Sequence, residues 1–574
     1  MAWEDTYKTW SEFKTLDAEI RTNLDDLEGK TEELEDAFYT NLEFGTAGMR
    51  GIIGAGTNRM NLYTVRQATE GLASFIETRG EDAKKKGVVI AYDSRHKSPE
   101  FSLEAAKTLG KHGIKTYLFE SLRTTPELSF AVRHLGTFAG IMMTASHNPP
   151  EYNGYKVYGE DGGQFPPAEA DELTNYVRQV ENSLEIEVLG KEELVEKGLL
   201  EMVGEAIDSA YLEKLDTVNI DRELIKRNAD LNIVFSPLHG TATMIGTRAL
   251  ENAGFNNVTL VPEQAKPDPD FTTVKSPNPE DPDAFEYAIK LGKEIGAEVL
   301  IATDPDADRL GMATLLDNGE YEVLTGNQIG ALIVDYLLKA YEKQGTLPTN
   351  GAILKSIVSS EMPAVIAEKS GVETVNVLTG FKFIAEKIKE YEETGEKEFL
   401  FGFEESYGYL LESFVRDKDA IQALLFISEL AAYYKEQDMT CYDGLQKLFE
   451  EHGHFKEKTI SITMSGITGA ENIKKLMLSL REESPKVFGG VDVISVEDYS
   501  TGVTTAANGD TEELAFGKAD VLKYYLADGS WIAARPSGTE PKIKFYIGAV
   551  ADTADEVNQK VDDFEASINL LIED

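Results

Sequence analysis

Residues 139–156 read AGIMMTASHNPPEYNGYK, an apolar run that passes into a turn holding Ser146 beside His147. A short apolar run bounded by turn signals is typical of a buried strand, and the Asn-Pro dipeptide marks the turn. In α/β proteins, functional loops lie at the carboxyl ends of such strands. The stretch therefore predicts an α/β fold with a polar, serine-bearing loop at the end of a strand.

The same unit, an apolar run followed by a polar loop, recurs along most of the chain. It is seen again in KGVVIAYDSRHKS, LNIVFSPLHGTA, AEVLIATDPDADR, GAILKSIVSS and EFLFGFEESYGY. Helical patterns such as SLEAAKTLGKHG and PDAFEYAIKLGKEIG lie between these stretches. Short strands that alternate with helices indicate α/β layers, so we expect three related α/β domains.

The C-terminal part has a different pattern. Its strand-like stretches are KTISITMSG, GVDVISVEDYS, VLKYYLADGSWIAARPSG and KIKFYIGAV, with helices at GAENIKKLMLSLREE and at the C-terminus. This order indicates an α+β domain. The chain has 574 residues, and at roughly 150 residues per domain about four domains are expected. We place the domains at residues 1–205, 206–325, 326–455 and 456–574.

The first forty residues are polar and predict helices. Two apolar stripes are formed by Trp10, Phe13 and Leu16 and by Leu24, Leu27, Leu34 and Phe38. Gly29 is expected to separate two helices. We interpret this N-terminal extension as helices that serve packing and capping and have no catalytic role.

Composition excludes several classes of function. The net charge is −45 with no basic stretch, which argues against a nucleic-acid partner. A single cysteine, Cys441, fits a reducing compartment. The start MAWEDTYKTWSEF has no secretory pattern, and no apolar run approaches the roughly 20 residues of a membrane span. We expect a cytoplasmic protein, either a monomer or a weak dimer.

Three carboxylates alternate in the stretch TDPDADR, at Asp304, Asp306 and Asp308. In a tight loop after a strand they can turn oxygens toward one hard cation such as Mg²⁺, Mn²⁺ or Ca²⁺. The alternative is a solvated acidic turn, because turns favour Asp. An EF-hand is excluded, since Arg309 stands where that loop requires Gly and Leu315 where it requires Glu.

Ser146 by itself does not identify an active site. The G-x-S-x-G pattern of serine hydrolases is absent, and the side chains of sequence neighbours such as Ser146 and His147 usually point apart. Alone, the segment is a strand end followed by a turn. Beside a metal held by the Asp stretch, however, a serine could carry a phosphoryl group.

The stretch RPSGTEPKIK, residues 535–544, combines a guanidinium, two hydroxyls and a backbone freed by Gly538. Such donors suit a phosphate. The alternative is a plain turn, which the prolines and the glycine favour in any case. Lys542 and Lys544 alternate on the strand expected after this loop.

Three further stretches carry candidate ligands. In GFEESYGY, Glu404 and Ser406 could grip neighbouring sugar hydroxyls, although a solvated loop has the same pattern; in TGFK, Thr379 and Lys382 add donors. FGTAGMRG, residues 44–51, is interpreted as a Gly-rich loop that offers Arg50. It lacks the spacings of nucleotide-binding loops.

These motifs, in this order, closely resemble the α-D-phosphohexomutase superfamily, from FGTAGMRG to RPSGTEPKIKFY. The EESYG loop and the N-terminal extension are most similar to the bacterial phosphoglucomutase/phosphomannomutase family. The resemblance implies a heart-shaped, four-domain arrangement in which three related α/β domains and a C-terminal α+β domain surround a central cleft. It also implies interconversion of glucose 1-phosphate and glucose 6-phosphate through a phosphoserine, with glucose 1,6-bisphosphate as intermediate and activator.

The resemblance also implies a role for each motif residue. Ser146 would be the phosphoserine. Mg²⁺ would be bound by Asp304, Asp306, Asp308 and an oxygen of the phosphorylated Ser146. The transferring phosphoryl group would be surrounded by Lys156, His147, Arg50 and Arg309, with Lys156 as an acid/base candidate. The sugar would be held by Glu404, Ser406, Thr379 and Lys382. The distal phosphate would be bound by Arg535, Ser537, Gly538, Thr539 and Lys544.

Two departures from the family pattern affect these expectations. Lys544 stands where many relatives have arginine, which would lose a bidentate grip. The sugar loop reads EESYG rather than EESFG, so the sugar preference is open. The alternatives are a phosphomannomutase, a phosphopentomutase or a glucose 1,6-bisphosphate synthase. A metal-dependent serine phosphatase is a further alternative from another class. The expected partners are small sugar phosphates.

Overall fold

The structure is a computed structural model that describes residues 3–45, 48–464, 467–514, 517–537 and 542–573. The chain divides into two compact units. The first unit holds residues 1–326, 381–402 and 406–440, and the second holds residues 327–380, 403–405 and 441–574. The candidate serine and the three Asp residues all belong to the first unit.

The first unit begins with helices and a six-stranded sheet. Its elements are α1 (Trp3–Glu12), α2 (Ala18–Asp26), α3 (Thr31–Phe38), β1 (Met49–Ile52), α4 (Leu62–Thr78), α5 (Glu81–Lys86), β2 (Val88–Tyr92), α6 (Ser98–Lys111), β3 (Thr116–Phe119), α7 (Thr125–Leu135), β4 (Ala139–Met143), β5 (Tyr152–Tyr158), α8 (Pro167–Arg178), α9 (Lys191–Glu196) and β6 (Leu200–Val203). The strand order is β1-β5-β4-β2-β3-β6. β4, β2, β3 and β6 run parallel, and β5 pairs antiparallel with β4 and β1. Buried side chains of β2 and β4, such as Ile90 and Ile141, form part of one apolar core.

A second sheet follows in the same unit and repeats this design. Its elements are α10 (Glu205–Leu215), α11 (Arg222–Arg227), β7 (Ile233–Ser236), α12 (Ala242–Ala253), β8 (Val258–Leu260), α13 (Glu286–Ile295), β9 (Val299–Thr303), β10 (Leu310–Leu315) and β11 (Tyr321–Val323). The order is β11-β10-β9-β7-β8, with β8, β7 and β9 parallel and β10 antiparallel to β9. In both sheets a buried parallel strand, β4 or β9, therefore ends in a candidate loop.

The next segment again alternates strands and helices. Its elements are α14 (Gly326–Gln344), β12 (Gly351–Ser356), α15 (Met362–Lys369), β13 (Glu373–Val377), α16 (Phe381–Thr394), β14 (Glu398–Glu404), β15 (Gly408–Leu410), α17 (Ala420–Lys435) and α18 (Cys441–His452). β12 and β13 pair in parallel in the second unit. α16, β15 and α17 belong to the first unit.

The C-terminal part of the second unit is antiparallel. Its elements are β16 (His454–Thr463), α19 (Ile467–Glu482), β17 (Val487–Phe488), β18 (Val491–Asp498), β19 (Val503–Ala506), β20 (Thr511–Glu513), β21 (Leu522–Leu526), β22 (Trp531–Pro536), β23 (Lys542–Ala551) and α20 (Ala554–Glu573). The helices and the sheet share one apolar core. A Cβ at Gly548 would lie 2.2 Å from the Trp531 ring, so this close packing requires glycine.

The N-terminal extension differs from the expectation of two helices. Three helices form, because α1 ends at Glu12 and the Asp17 carboxylate accepts hydrogen bonds from Glu19 N and Ile20 N, which starts α2 as an N-cap. Phe13 and Leu16 therefore do not share a helix with Trp10. Gly29 lies between α2 and α3 with a φ of 83°.

The sequence predicts that the Gly-rich stretch FGTAGMRG is a loop, but part of it forms a strand. Met49 and Arg50 belong to β1, and Arg50 lies opposite Gly154 in β5. A short antiparallel strand next to the serine-bearing turn thus carries Arg50. Thr46 and Ala47 lie outside the described residues.

Trp10 provides a test of how the N-terminal helices are held. Its ring is 2% exposed and meets Phe38 and Tyr63 edge to face, with centroid distances of 5.6 and 5.4 Å. Trp10→Ala should lower the opening free energy of α1–α3 by about 3–5 kcal/mol through the cavity it leaves. Native-state hydrogen exchange of residues 3–38 measures this change. Tyr39→Ala, at a side chain 61% exposed, should have little effect; equal effects would refute the assigned packing.

Candidate active site

Ser146 and the Asp stretch, which are distant in sequence, meet at the ends of two strands. Ser146 follows β4, Asp304 follows β9, and Ser146 Oγ donates a hydrogen bond to Asp304 Oδ2 at 2.8 Å. Ser146 is 3% exposed and has a φ of 52°, a left-handed conformation that is uncommon outside glycine. Its amide donates to Thr144 Oγ1 at 2.8 Å, which supports this turn.

The aspartate loop, residues 304–308, concentrates three buried carboxylates. Oxygens of Asp304, Asp306 and Asp308 lie within 4.8 Å of one another, and all three residues are at most 2% exposed. Asp304 Oδ1 accepts hydrogen bonds from its own loop, from the Asp308 and Arg309 amides at 3.1 and 3.0 Å. The loop is therefore a compact turn with its carboxylates directed inward, unlike a solvated acidic turn.

The chemistry of the aspartate loop fits a divalent cation. Asp306 Oδ1 and Asp308 Oδ1 are buried and accept no hydrogen bond from any residue that the structure describes. A buried oxygen without a partner is costly unless another ligand satisfies it. Carboxylate oxygens are the ligands that hard cations prefer. The three residues could thus hold a metal ion.

Two buried lysines partly balance these carboxylates. Lys156 Nζ lies 2.9 Å from Asp306 Oδ2 and 3.5 Å from Asp308 Oδ2, and Lys418 Nζ lies 3.2 Å from Asp308 Oδ2. Sequence reasoning selected Lys156 and missed Lys418. The only sequence signal for Lys418 is its place in the charged run RDKD, just before α17.

Burial and neighbouring charges shift the pKa values of Asp304 and Asp306 in opposite directions. Burial, together with repulsion from Asp306 and Asp308, raises the pKa of Asp304 well above its usual value. Burial also opposes ionisation of Asp306, but the Lys156 ammonium and hydrogen bonds outweigh it and hold the pKa of Asp306 below its usual range. Without a cation, a proton would therefore bind more readily to Asp304 than to Asp306.

His147 lies beside the serine, although the side chains of sequence neighbours usually point apart. Its Nδ1 is 3.2 Å from Ser146 Oγ. The left-handed turn at Ser146 accounts for this approach, because it breaks the alternation of an extended strand. Burial, with the guanidinium groups of Arg309 and Arg50, lowers the pKa of His147 well below its usual value. The imidazole is accordingly neutral near pH 7.

The serine turn is held by a buried arginine that sequence reasoning did not select. Arg95 Nη2 donates to the carbonyl of Ser146 at 2.6 Å, and Nη1 donates to the carbonyls of Pro149 and Tyr152 at 2.8 and 3.0 Å. Its Nε lies 3.3 Å from the buried Asp93 carboxylate. Arg95 follows β2 in the stretch YDSRHKS, which was identified as a strand and loop but not as part of the site.

Two of the predicted arginines, Arg50 and Arg309, have protein partners in this structure. Arg50 Nη1 donates to Asn148 Oδ1 at 2.8 Å. Arg309 Nη1 pairs with the Glu280 carboxylate. Arg50 thus contacts the serine turn, and Arg309 extends from the end of the aspartate loop.

The residues of the predicted sugar loop are assigned to different units. In the second unit, Glu404 Oε1 accepts a hydrogen bond from Gly380 N at 2.7 Å. Thr379 Oγ1 is buried without a hydrogen-bond partner among the described residues. The structure thus brings Thr379 and Glu404 together around Gly380. Ser406 and Lys382 belong to the first unit, where burial lowers the pKa of Lys382.

Tyr407, the residue that departs from the EESFG pattern, uses its hydroxyl within the protein. It donates to the carbonyl of Leu324 at 3.1 Å in the first unit, and the residue is buried with a φ of 64°. The extra oxygen therefore anchors the loop backbone. This contact gives the tyrosine a structural explanation.

The predicted phosphate loop lies between two antiparallel strands of the second unit. Arg535 in β22 is the register partner of Lys544 in β23, and Ser537 N donates to Lys542 O at 2.7 Å. The strand alternation expected for Lys542 and Lys544 is present in β23. Gly538 and Thr539 lie outside the described residues.

Family models match most of the chain. Their descriptions are Phosphoglucomutase/phosphomannomutase alpha/beta/alpha domain I at residues 41–183, domain II at 209–316, domain III at 325–452, and the C-terminal domain at 493–567. A protein named phosphoglucomutase from Staphylococcus haemolyticus is 40% identical over 528 residues, covering 92% of this chain and 94% of the relative. One from Staphylococcus epidermidis is 41% identical over 537 residues, covering 93% and 95%.

Solved structures share this fold. A putative phosphomannomutase from Thermus thermophilus has a TM-score of 0.68 at 21% identity and covers 93% of this chain and 100% of its own. Parafusin, a phosphoglucomutase from Paramecium, has a TM-score of 0.66 at 18% identity and covers 93% and 95%. At these identities the likeness establishes the fold alone.

The matches to three α/β/α domains and a C-terminal domain confirm the predicted α/β fold with four domains. The chain belongs to the phosphoglucomutase/phosphomannomutase family. Among the described residues, no helix is long and apolar enough to cross a membrane.

Arg95 supplies a prediction about the serine turn. In Arg95→Lys, one ammonium cannot reach the carbonyls that the guanidinium bonds, and each buried carbonyl left without a partner costs about 1–3 kcal/mol. The variant should unfold at a lower temperature, which calorimetry measures. Arg79→Lys alters an ion pair that is 39% and 40% exposed and should match the unaltered protein. If Arg95→Lys unfolded at the same temperature as the unaltered protein, Arg95 would not stabilise the serine turn as assigned.

Proposed function

We propose that the protein is a phosphoglucomutase, which interconverts glucose 1-phosphate and glucose 6-phosphate through a phosphoserine at Ser146. The observation that carries the proposal is the 2.8 Å hydrogen bond from Ser146 Oγ to Asp304, one of three clustered, buried carboxylates. The relatives named phosphoglucomutase, about 40% identical over more than nine-tenths of the chain, support the choice of reaction.

The aspartate loop would hold Mg²⁺ through Asp304, Asp306 and Asp308. The free oxygens of Asp306 and Asp308 suit this ion. When bound, Mg²⁺ would neutralise charge on the phosphoryl oxygens. Around the same position, Lys156 and Lys418 supply positive charge from the protein itself. Such charge is needed because a phosphoserine carries about −1.5 to −2 near pH 7.

The transfer exchanges one phosphorus–oxygen bond for another. The bond from Ser146 Oγ to phosphorus breaks, and a hydroxyl oxygen of the hexose phosphate forms the new bond to phosphorus. The proton of that hydroxyl passes to Ser146 Oγ, so the products are the free serine and a hexose bisphosphate. The return step reverses these changes at the other end of the sugar. Lys156 and the neutral His147 are the proposed proton carriers, since His147 Nδ1 lies 3.2 Å from Ser146 Oγ. Arg50 and Arg309 would surround the phosphoryl group.

The remaining candidate residues would bind and orient the sugar phosphate. Glu404, Ser406, Thr379 and Lys382 would hold the sugar. Arg535, Ser537, Gly538, Thr539 and Lys544 would hold the phosphate that is not being transferred. One serine and one phosphate loop require the bisphosphate to turn end for end between the steps. Glucose 1,6-bisphosphate would act as the activator by phosphorylating Ser146. A cytoplasmic location, a monomeric or weakly dimeric state and the four domain boundaries also stay predictions.

Phosphorylation of Ser146 is the direct test. Incubation with glucose 1,6-bisphosphate and Mg²⁺ should add one phosphate, located at Ser146 by peptide mass spectrometry. Ser146→Ala should take up none and lose essentially all mutase activity, whereas Ser209→Ala, which removes a surface hydroxyl bonded to Glu205, should retain both. Full activity in Ser146→Ala would refute the mechanism.

A comparison of substrates tests the reaction and the sugar. Glucose, mannose and ribose 1-phosphates are supplied with and without bisphosphate, and 6- or 5-phosphate formation and phosphate release are followed. A phosphoglucomutase should favour the glucose ester, respond to bisphosphate and release no net phosphate. Preference for another sugar would indicate a mutase for that sugar, and steady phosphate release would indicate a phosphatase.

Arg535 should act in binding rather than in the chemical step. Loss of two charge-assisted hydrogen bonds at about 1.5–3 kcal/mol each predicts that Arg535→Ala lowers kcat/KM by roughly a hundredfold to ten-thousandfold. The loss should appear in both reaction directions, while Ser146 still accepts phosphate. Lys518→Ala, at an exposed position of the same part of the chain, should have normal kinetics. Unchanged kinetics in Arg535→Ala, or failure of Ser146 to accept phosphate in that variant, would contradict a function of Arg535 in binding alone.

A further inference from the structure

The aspartate loop is held not only through its side chains but also through its backbone. Three consecutive carbonyls accept hydrogen bonds: Pro305 O from Thr241 N at 2.8 Å, Asp306 O from Thr125 N at 2.8 Å, and Ala307 O from Ala420 N at 3.1 Å. The loop needs this support, because Ala307 has a φ of 56°. A non-glycine residue adopts that conformation only where its surroundings hold it.

All three donors stand at the beginnings of helices. Thr241 is the N-cap of α12, Thr125 is the first residue of α7, and Ala420 is the first residue of α17. The first amides of a helix have no partner within the helix, so they are free to bind another group. The helices also direct the positive ends of their dipoles toward the loop.

The three helices come from different parts of the chain, although all lie in the first unit. α7 falls within the residues matched by domain I, α12 within domain II and α17 within domain III. Only α12 belongs to the domain that contains the loop. Two neighbouring domains therefore contact the backbone of the aspartate loop directly.

Side-chain contacts follow the same pattern. Thr125 Oγ1 donates to Asp306 Oδ2 at 2.9 Å, so α7 holds both the backbone and the carboxylate of that residue. At α12, a Cβ on Gly240 would lie 2.4 Å from Pro305 Cα. The turn before this helix thus approaches the loop as closely as glycine allows.

We propose that these three helix starts are positioning groups that set the shape of the aspartate loop and hence its affinity for a divalent cation. Cation binding is then coupled to the packing of three domains, because the loop keeps its shape only while all three helix amides donate to its carbonyls. The proposal rests on the metal assignment made above. It assigns a function to backbone amides, which a comparison of side chains would not identify.

Ala420 allows one of these amides to be removed. Proline is accepted at the first position of a helix but carries no N–H. Asp419, which precedes it, has a φ of −130° and a ψ of 99°, an extended conformation broadly suited to a residue before proline. Ala420→Pro should therefore delete the bond to Ala307 O while α17 still begins. Ala420→Val keeps the amide and adds comparable bulk. Ala18→Pro makes the same change at the first residue of α2.

The probe is Mn²⁺, whose free concentration is followed by electron paramagnetic resonance. The unaltered protein should bind it and Asp306→Asn should bind it weakly or not at all. Ala420→Pro should weaken binding roughly three- to tenfold, as expected for one lost hydrogen bond, while Ala420→Val and Ala18→Pro bind normally. If the unaltered protein binds no Mn²⁺, the metal assignment and this proposal both fall. If it binds and a folded Ala420→Pro binds equally well, only the helix contacts are refuted.

Hydrogen exchange in the unaltered protein is a second test that requires no variant to fold. The amides of Thr125, Thr241 and Ala420 should exchange slowly without metal and more slowly after Mn²⁺ is added. The amide of Ala18, at the start of an exposed helix turn, is the comparison and should not respond to the ion. Rapid exchange of the three amides, or no response to Mn²⁺, would overturn the proposal.

Discussion

The mutual repulsion of three buried carboxylates is the constraint on which the site depends. Asp304, Asp306 and Asp308 lie in one turn almost without solvent, where charges are costly unless they are paired. Lys156 and Lys418 offset part of this charge from other segments. The remaining imbalance favours a cation. No single α/β domain supplies all of these groups, so the site requires several domains to pack together.

A buried arginine, Arg95, stabilises the turn that contains Ser146. Its guanidinium bonds backbone carbonyls around Ser146 and pairs with Asp93. The planar arrangement of guanidinium donors suits several carbonyls at once, which a lysine cannot match. Rigid support of this kind leaves Ser146 Oγ at a defined distance from the aspartate loop, and phosphoryl transfer depends on such positioning.

Local patterns predicted the fold well and the packing less well. Apolar runs such as AGIMM and the helical stretches between them indicated the α/β units, because burial and periodicity are local properties. The apolar stripe through Phe13 failed, since capping by Asp17 starts a new helix. The general rule that neighbouring side chains point apart does not hold for His147, because one left-handed residue, Ser146, redirects the chain.

The sequence by itself determined the strand–loop units, the class of the fold and the residue types in each loop. It also indicated that Asp304, Asp306 and Asp308 could bind one cation, because all three lie within a few residues. The tertiary structure alone decided that Lys418, Arg95 and the first amides of α7 and α17 contact these loops. Those contacts join residues far apart in the chain, and their geometry follows from domain packing, which no local sequence pattern encodes.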